Sequence, residues 1–338
     1  MRQMIAILWE SYRMLRARVL FWVVLGISVL AGLMFASIGV TDDGYSVLFG
    51  LWDVQSSMVN AKSGYAELFY LVIFTNVMVK WWLGYLAIAL GLISCSSIFP
   101  EFLSAGSVDV AVSKPISRTR LFLIKYMGSL LFVFLQVGVF ALIVFFALGL
   151  RLGHWNWSIF WSVPILVFVF SMIYCFGVLV SVWTRSTMLS LLAMLILWGV
   201  TLMVQWTEGA LYGLSYSSAD AGEKVDLRSG QVYEADESEF TGMKKAYRVC
   251  KMVAWPLPKT REVTLFINEK IKTDQSNQSL SGMSLLAFSG EHAMEQFQGE
   301  SAKKAAKRNS LFYVLGSSAL FEIFVLTLAC WKFSRKDY

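Results

Sequence analysis

Six stretches of this 338-residue chain are apolar over about the length a helix needs to cross hydrocarbon. They lie at residues 19–40, in a run ending near Phe99, and at 121–150, 159–183, 188–206 and 311–331. Lipid offers the backbone no hydrogen-bond partner, so a spanning segment must be a helix or part of a closed barrel. Nothing here alternates like a barrel strand. The expected fold class is therefore an all-α polytopic membrane protein with six transmembrane helices. Composition agrees, with 57% of residues apolar and 15% charged, against about 45–50% and about 25% in soluble domains. That balance excludes a disordered chain, a coiled coil and an ordinary cytosolic enzyme.

The second span is the least defined, because residues 68–99 are too long for one crossing and too short for two. Lys80 sits inside the run beside Trp81 and Trp82. Both residue types favour the interface, so we expect 65–79 to be an interfacial helix or a long outward extension and the crossing proper to follow Lys80. Short-loop charge sets the orientation. With the N-terminus inside, the inner side holds Arg2, Arg13, Arg16, Arg18, Lys114, Arg118, Arg120, Lys125, Arg185, Lys332, Arg335 and Lys336. The outer short loops hold Lys62, Lys80 and Arg151. This asymmetry predicts that both termini are cytoplasmic, and the expected location is the plasma membrane. The net charge of +6 is then a topology signal, and nucleic acid is not an expected partner. Residues 1–18 place Met4, Leu8, Tyr12 and Leu15 on one helical face and Gln3, Glu10 and Arg13 on the other, the pattern of an interfacial elbow helix. The first span lacks a small-residue cleavage site after it and reads as an uncleaved signal anchor.

The inner loop between spans two and three carries the densest local information. Pro100 suits the start of a helical turn, and Glu101 suits a helix N-terminus by opposing its dipole. Gly106 breaks that turn, and Val108, Val110 and Val112 then alternate with small or polar residues. Pro115 keeps Lys114 out of helical conformation, and Ser117 can cap the third span. A compact element of residues 99–118 should project into the cytosol.

Glu101, Gly106 and the string Lys114-Pro115-Ile116-Ser117-Arg118 resemble the inner loop of type-2 ABC-transporter permeases. Ser107 stands where that family commonly has Thr, and Val110-Ala111-Val112 where it has Leu-Leu. The ending Lys332-Phe333-Ser334-Arg335-Lys336-Asp337 is similar too. The resemblance implies a permease subunit whose loop, with Glu101, Gly106, Asp109, Lys114, Pro115, Ser117 and Arg118, forms a coupling helix seated on a separate cytoplasmic ABC ATPase. It also implies a second permease copy, as homodimer or heterodimer, and export of a substrate that the residues do not identify. ATP and Mg would be bound by that ATPase. This chain shows no Gly-x-x-x-x-Gly-Lys-Ser/Thr loop; its nearest string, Gly222-Glu223-Lys224, lacks the upstream glycine and the hydroxyl residue. No enzymatic activity of its own and no bound cofactor are therefore expected.

Two polar residues fall inside spans, Gln136 in the third and Glu322 near the middle of the sixth. Intramembrane carboxyls are costly and frequently functional. Glu322 is either a proton or substrate site, as an ion-coupled carrier would need, or a bundle-facing group bonded to a serine such as Ser317 or Ser318. A third reading is a non-transporting anchor that passes mechanical work from an ATPase to an envelope complex. Residues 207–308 are too long for a passive connector. Arg228-Ser229-Gly230 reads as a hairpin turn, Pro256 and Pro258 forbid a helix, and Val263, Phe266, Ile267 and Ile271 recur at helical spacing. Residues 291–307 are also helix-compatible. A small α/β extracytoplasmic segment results, serving as a structural lid or as a binding site for substrate or an envelope partner. The four cysteines show no C-x-x-C spacing, and His292 with Glu295 lacks the second histidine of a zinc-protease pattern, so no metal site is expected.

Overall fold

The computed structural model describes residues 19–41, 44–55, 70, 73–104, 117–152, 155–212, 223–225, 232–234, 237–270 and 311–335. The elbow expected at 1–18 lies outside these residues, as do Gly106, Asp109, Lys114 and Pro115 and the helix expected at 291–307. Among the described residues, six helices are long and apolar enough to cross a membrane. The chain is a multi-pass, mostly helical membrane protein with little sheet.

Span one is α1 (Val19–Ala36). It is apolar all round, yet its buried residues Phe21, Val24, Ser28, Ala31, Gly32 and Phe35 recur every three or four positions and form one face. That face packs on span three. At Gly32 a Cβ would come within 3.0 Å of Ile143, so a small residue sets the close approach of these two helices. The sequence placed the end of this span at Val40, but the helix stops at Ala36. Ser37 N–H still reaches Leu33 and Met34 carbonyls, and the β-branched residues beyond it turn extended. They form a three-stranded antiparallel sheet, β1 (Gly39–Thr41), β2 (Gly44–Val47) and β3 (Trp52–Gln55). No sequence expectation covered this sheet.

Span two starts in a continuous helix. A π-wound helix at Phe74–Ala87 runs straight into α2 (Ile88–Cys95), and a candidate span covers Val77–Phe102. The helix passes through Lys80 without a break, as a long outward extension of the span would. After a turn at Ser96 comes α3 (Ile98–Phe102).

Span three is α4 (Arg118–Leu152), about 52 Å long at about 1.5 Å per residue, well beyond the hydrocarbon thickness. Ser117 Oγ accepts from Arg120 N–H at 3.4 Å, the N-terminal bond its position predicted. A 3-10 turn at Trp157–Trp161 leads into span four, α5 (Ser162–Thr184). Span five is α6 (Thr187–Tyr212) and span six is α9 (Leu311–Arg335). Arg185 joins spans four and five in left-handed conformation, φ 54°. Span four is the hub, since it touches spans two, three, five and six. Its apolar window is 67% buried, against 22% for spans five and six.

Between spans five and six, β4 (Glu223–Val225) pairs antiparallel with β5 (Val232–Glu234), Val225 opposite Val232. Then come α7 (Glu237–Ala254) and α8 (Thr260–Lys270). The break between them falls at the Pro256–Pro258 string. The helix α7 was not foreseen, although its acidic start and Lys251 in its last turn match a helix dipole. It packs along span five, and α8 packs on span four and the π-wound segment.

Candidate functional site

Among the described residues, polar arrangements interrupt the apolar bundle at the end carrying α3, at mid-bundle and at the opposite end.

At the first end, Phe99, Pro100, Phe102 and Leu103 are buried while Glu101 and Ser104 face out. The helix α3 is too short to hold itself together in isolation, so its packing fixes it. Phe99 lies 5.2 Å, ring centre to ring centre, from Phe122 of span three. Phe102 lies 5.8 Å from Phe333 of span six, which in turn lies 5.7 Å from Phe122. Lys125 stands 5.7 Å over the Phe102 ring. Arg118 donates to the Ser334 carbonyl at 3.2 Å, placing a cation on the C-terminal turn of span six, where the helix dipole favours it. Three elements thus meet around one aromatic cluster, and Glu101 is carried on its outward side. Of the expected coupling residues, Glu101, Ser117 and Arg118 are described; Glu101 and Ser117 are exposed and Arg118 is half-buried.

The cluster continues inward. Phe99 touches Tyr174 of span four at 6.4 Å, and Tyr174 stacks on Phe170 at 5.2 Å and on Tyr126 at 5.7 Å. Tyr126 Oη donates to Glu322 Oε1 at 2.9 Å and approaches the Ser171 carbonyl at 3.0 Å. Ser171 Oγ lies 3.0 Å from Glu322 Oε2 and 2.8 Å from the Phe168 carbonyl. Glu322 therefore joins span six to spans three and four. The sequence offered Ser317 or Ser318 as its partner, and the structure assigns those serines elsewhere. Both lie one to two turns away on the same helix, whereas Tyr126 and Ser171 come from facing helices that sequence spacing cannot align. Beside this group, Ser129 Oγ and Tyr174 Oη are 2.8 Å apart, and Tyr174 Oη donates to the Cys95 carbonyl at 3.3 Å. Gln136 is buried and donates from Nε2 to the Ala87 carbonyl of span two at 3.4 Å. It is a strut between helices and does not meet Glu322 in any described contact.

At the opposite end, the turn between α7 and α8 is wedged between spans five and six. Gln205 Nε2 donates to the Pro258 carbonyl at 2.8 Å, and its Oε1 accepts from Arg261 N–H at 2.8 Å. Arg261 also donates to the Gln205 carbonyl at 3.2 Å. Lys259 N–H donates to Ser318 Oγ at 3.1 Å, and Lys259 Nζ to Ser317 Oγ at 2.7 Å. The ammonium lies 4.2 Å over the Tyr313 ring. Gln205 and the two serines each sit about two turns in from their helix ends, so the turn reaches inside the rim of the bundle. Burial pulls the Lys259 ammonium below the ordinary lysine value, against the opposing pull of Glu262 and Glu208. Only the proline break was legible in the sequence here. Gln205, Glu208 and Lys259 carried no signal, because buried polar residues near span ends look like ordinary interfacial ones.

Among the described residues no group of three or more His, Cys, Asp or Glu converges. A scan against protein-family models, a search of curated proteins and a search of solved structures each gave no match.

Proposed function

We propose that this chain is the permease subunit of an ATP-binding-cassette transporter, forming half of a membrane pathway and taking its energy from a separate ATPase. The observation that carries this reading is the seating of α3. A five-residue helix is fixed by Phe99 against spans three and four and by Phe102 against span six, and Glu101 faces away from the bundle. A push on such a knob moves helix ends together, because the aromatic cluster behind it is close-packed and does not absorb the displacement. The resemblance of Glu101, Gly106 and 114–118 to permease coupling loops supplies the partner, a cytoplasmic ATPase that binds ATP and Mg. In this reading the α3 end is cytoplasmic, as the short-loop charges favour, and closure of two ATPase chains drives two copies of this subunit as rigid bodies.

The experiment is affinity purification of the intact chain from its native membrane, with ATPase activity measured in the purified complex. Wild type should retain an ATPase. Glu101→Lys should lose it while keeping the same thermal stability, since the residue is exposed. Retention of full, coupled ATPase activity by Glu101→Lys would refute the seat. ATP-dependent movement of a cargo into vesicles then separates transport from purely mechanical work. Activity that follows a pH gradient with no ATPase bound would instead favour a carrier built on Glu322.

A further inference from the structure

The loop between spans one and two ends in an unusual tip. Strands β2 and β3 close with Val47 opposite Trp52, and Leu48-Phe49-Gly50-Leu51 make the turn. Leu48, Phe49, Leu51 and Trp52 are 42%, 71%, 78% and 72% exposed. No charged residue occurs from Gly44 to Trp52. The backbone at this tip is strained. Leu48 and Phe49 are left-handed, with φ 55° and 58°, and Gly50 follows at 92°. Bulky residues avoid that region, and hairpin turns normally place Gly, Asn or Asp there. Two large apolar side chains are thus held outward at a position where small polar ones would fold more easily. Local strain of this kind persists where the surroundings enforce it and marks candidate functional positions.

The surroundings also fix the height of the tip. Phe49 N–H donates to the Ser37 carbonyl at 3.0 Å, and Ser37 is the residue that closes span one. Tyr70 Oη donates to the Ile38 carbonyl at 2.6 Å, holding the first strand at the same level. Within two turns below, Leu30, Leu33 and Met34 of span one are exposed, and on a helix long and apolar enough to cross a membrane such a face suits lipid. The tip therefore stands where the span leaves the hydrocarbon, continuous along the chain with a lipid-facing surface. Trp, Phe and Leu are the residues that partition into that zone.

We propose that the Leu48–Trp52 tip is a membrane wedge, which seats Phe49, Leu51 and Trp52 among the phospholipid chains of the leaflet at the C-terminal end of span one. The occupant is lipid. A protein partner or a second copy would have to approach at the bilayer surface, where phospholipid is already in contact with the neighbouring span. This inference rests on the membrane span alone and stands apart from the permease reading.

The test uses the full chain in phosphatidylcholine–phosphatidylglycerol nanodiscs. The native cysteines are replaced by alanine, and an environment-sensitive fluorophore is attached after Phe49→Cys, Leu51→Cys or Gln55→Cys. At 49 and 51 we expect blue-shifted emission, with quenching by a shallow doxyl lipid several-fold stronger than by aqueous iodide. At 55 the order should reverse. Stronger iodide quenching at 49 and 51 overturns the proposal, and so does blue-shifted emission that neither quencher reaches, since that means protein cover. A second measurement needs no substitution. In the unaltered chain, phosphatidylcholine carrying a diazirine in its acyl chain should leave adducts within 44–55 on photolysis. Adducts on 19–36 with none on 44–55 would also sink the wedge.

Discussion

Glu322 offers the sharpest test of how the bundle is held, because its contacts can be counted hydrogen by hydrogen. Tyr126 Oη has one hydrogen and two acceptors within reach, Glu322 Oε1 and the Ser171 carbonyl. Ser171 Oγ likewise has one hydrogen and faces Glu322 Oε2 and the Phe168 carbonyl. Replacing Glu322 by Leu removes two cross-helix bonds, yet both hydroxyls keep a carbonyl to turn to, so neither is orphaned. Interhelical hydrogen bonds in membranes average about 0.6 kcal/mol and reach about 1.7. Two such bonds with fallback acceptors put the loss near the lower end, about 1 kcal/mol. Glu322→Gln should cost almost nothing. Its carbonyl still accepts from Tyr126, and its amide N–H donates to Ser171 Oγ while that hydroxyl turns to Phe168. The assay is reversible unfolding of the purified chain in mixed detergent micelles, comparing wild type with the Gln and Leu variants. A Gln variant as unstable as the Leu variant would refute the hydrogen count. A Leu variant losing about 4 kcal/mol would show that the carboxyl does more than bridge helices. If Gln leaves stability intact but abolishes activity, the carboxyl acts in function as well as in packing.

Three more expectations follow from the other two polar arrangements. Phe99→Ala removes a ring that touches Phe122, Phe102 and Tyr174; it should cost about 3 kcal/mol in the same unfolding assay and increase proteolytic cleavage near α3, and unchanged values in both would mean the cluster is not what seats it. Gln205→Leu strips the buried hairpin turn of two partners, the donor to Pro258 and the acceptor for Arg261, for about 1–3 kcal/mol, and should raise hydrogen exchange in α8 selectively; uniform exchange across the bundle would argue against a local clasp. Lys259 binds its proton more weakly folded than unfolded, chiefly through burial. Between its lowered value and the ordinary lysine value near about 10.4, the unfolded chain holds more protons, so stability should rise with pH through that window. Lys259→Met should flatten the rise in a thermal-unfolding series, and an identical slope in both proteins would refute it.

Hydropathy was enough to pick out six candidate spans, since the demand that a backbone in lipid bond to itself leaves a run of apolar residues one conformation. The same local logic found the proline break ahead of α8 and the Ser117 cap, both decided by a residue's own backbone chemistry. It failed where two local rules competed. At residues 37–41 β-branched residues left the helix although their hydropathy still read as span.

Tertiary structure alone decided which helices exchange polar groups. The carboxyl of Glu322 could be placed in a span from the sequence, but its bond to Tyr126 joins residues far apart in the chain, and no periodicity encodes the rotation of one helix against another. The same holds for Lys259 on Ser317 and for Phe102 on Phe333. In hydrocarbon a uniformly apolar helix has no preferred face by hydropathy, so its orientation is set by close packing at small residues such as Gly32 and by the few hydrogen bonds its neighbours offer.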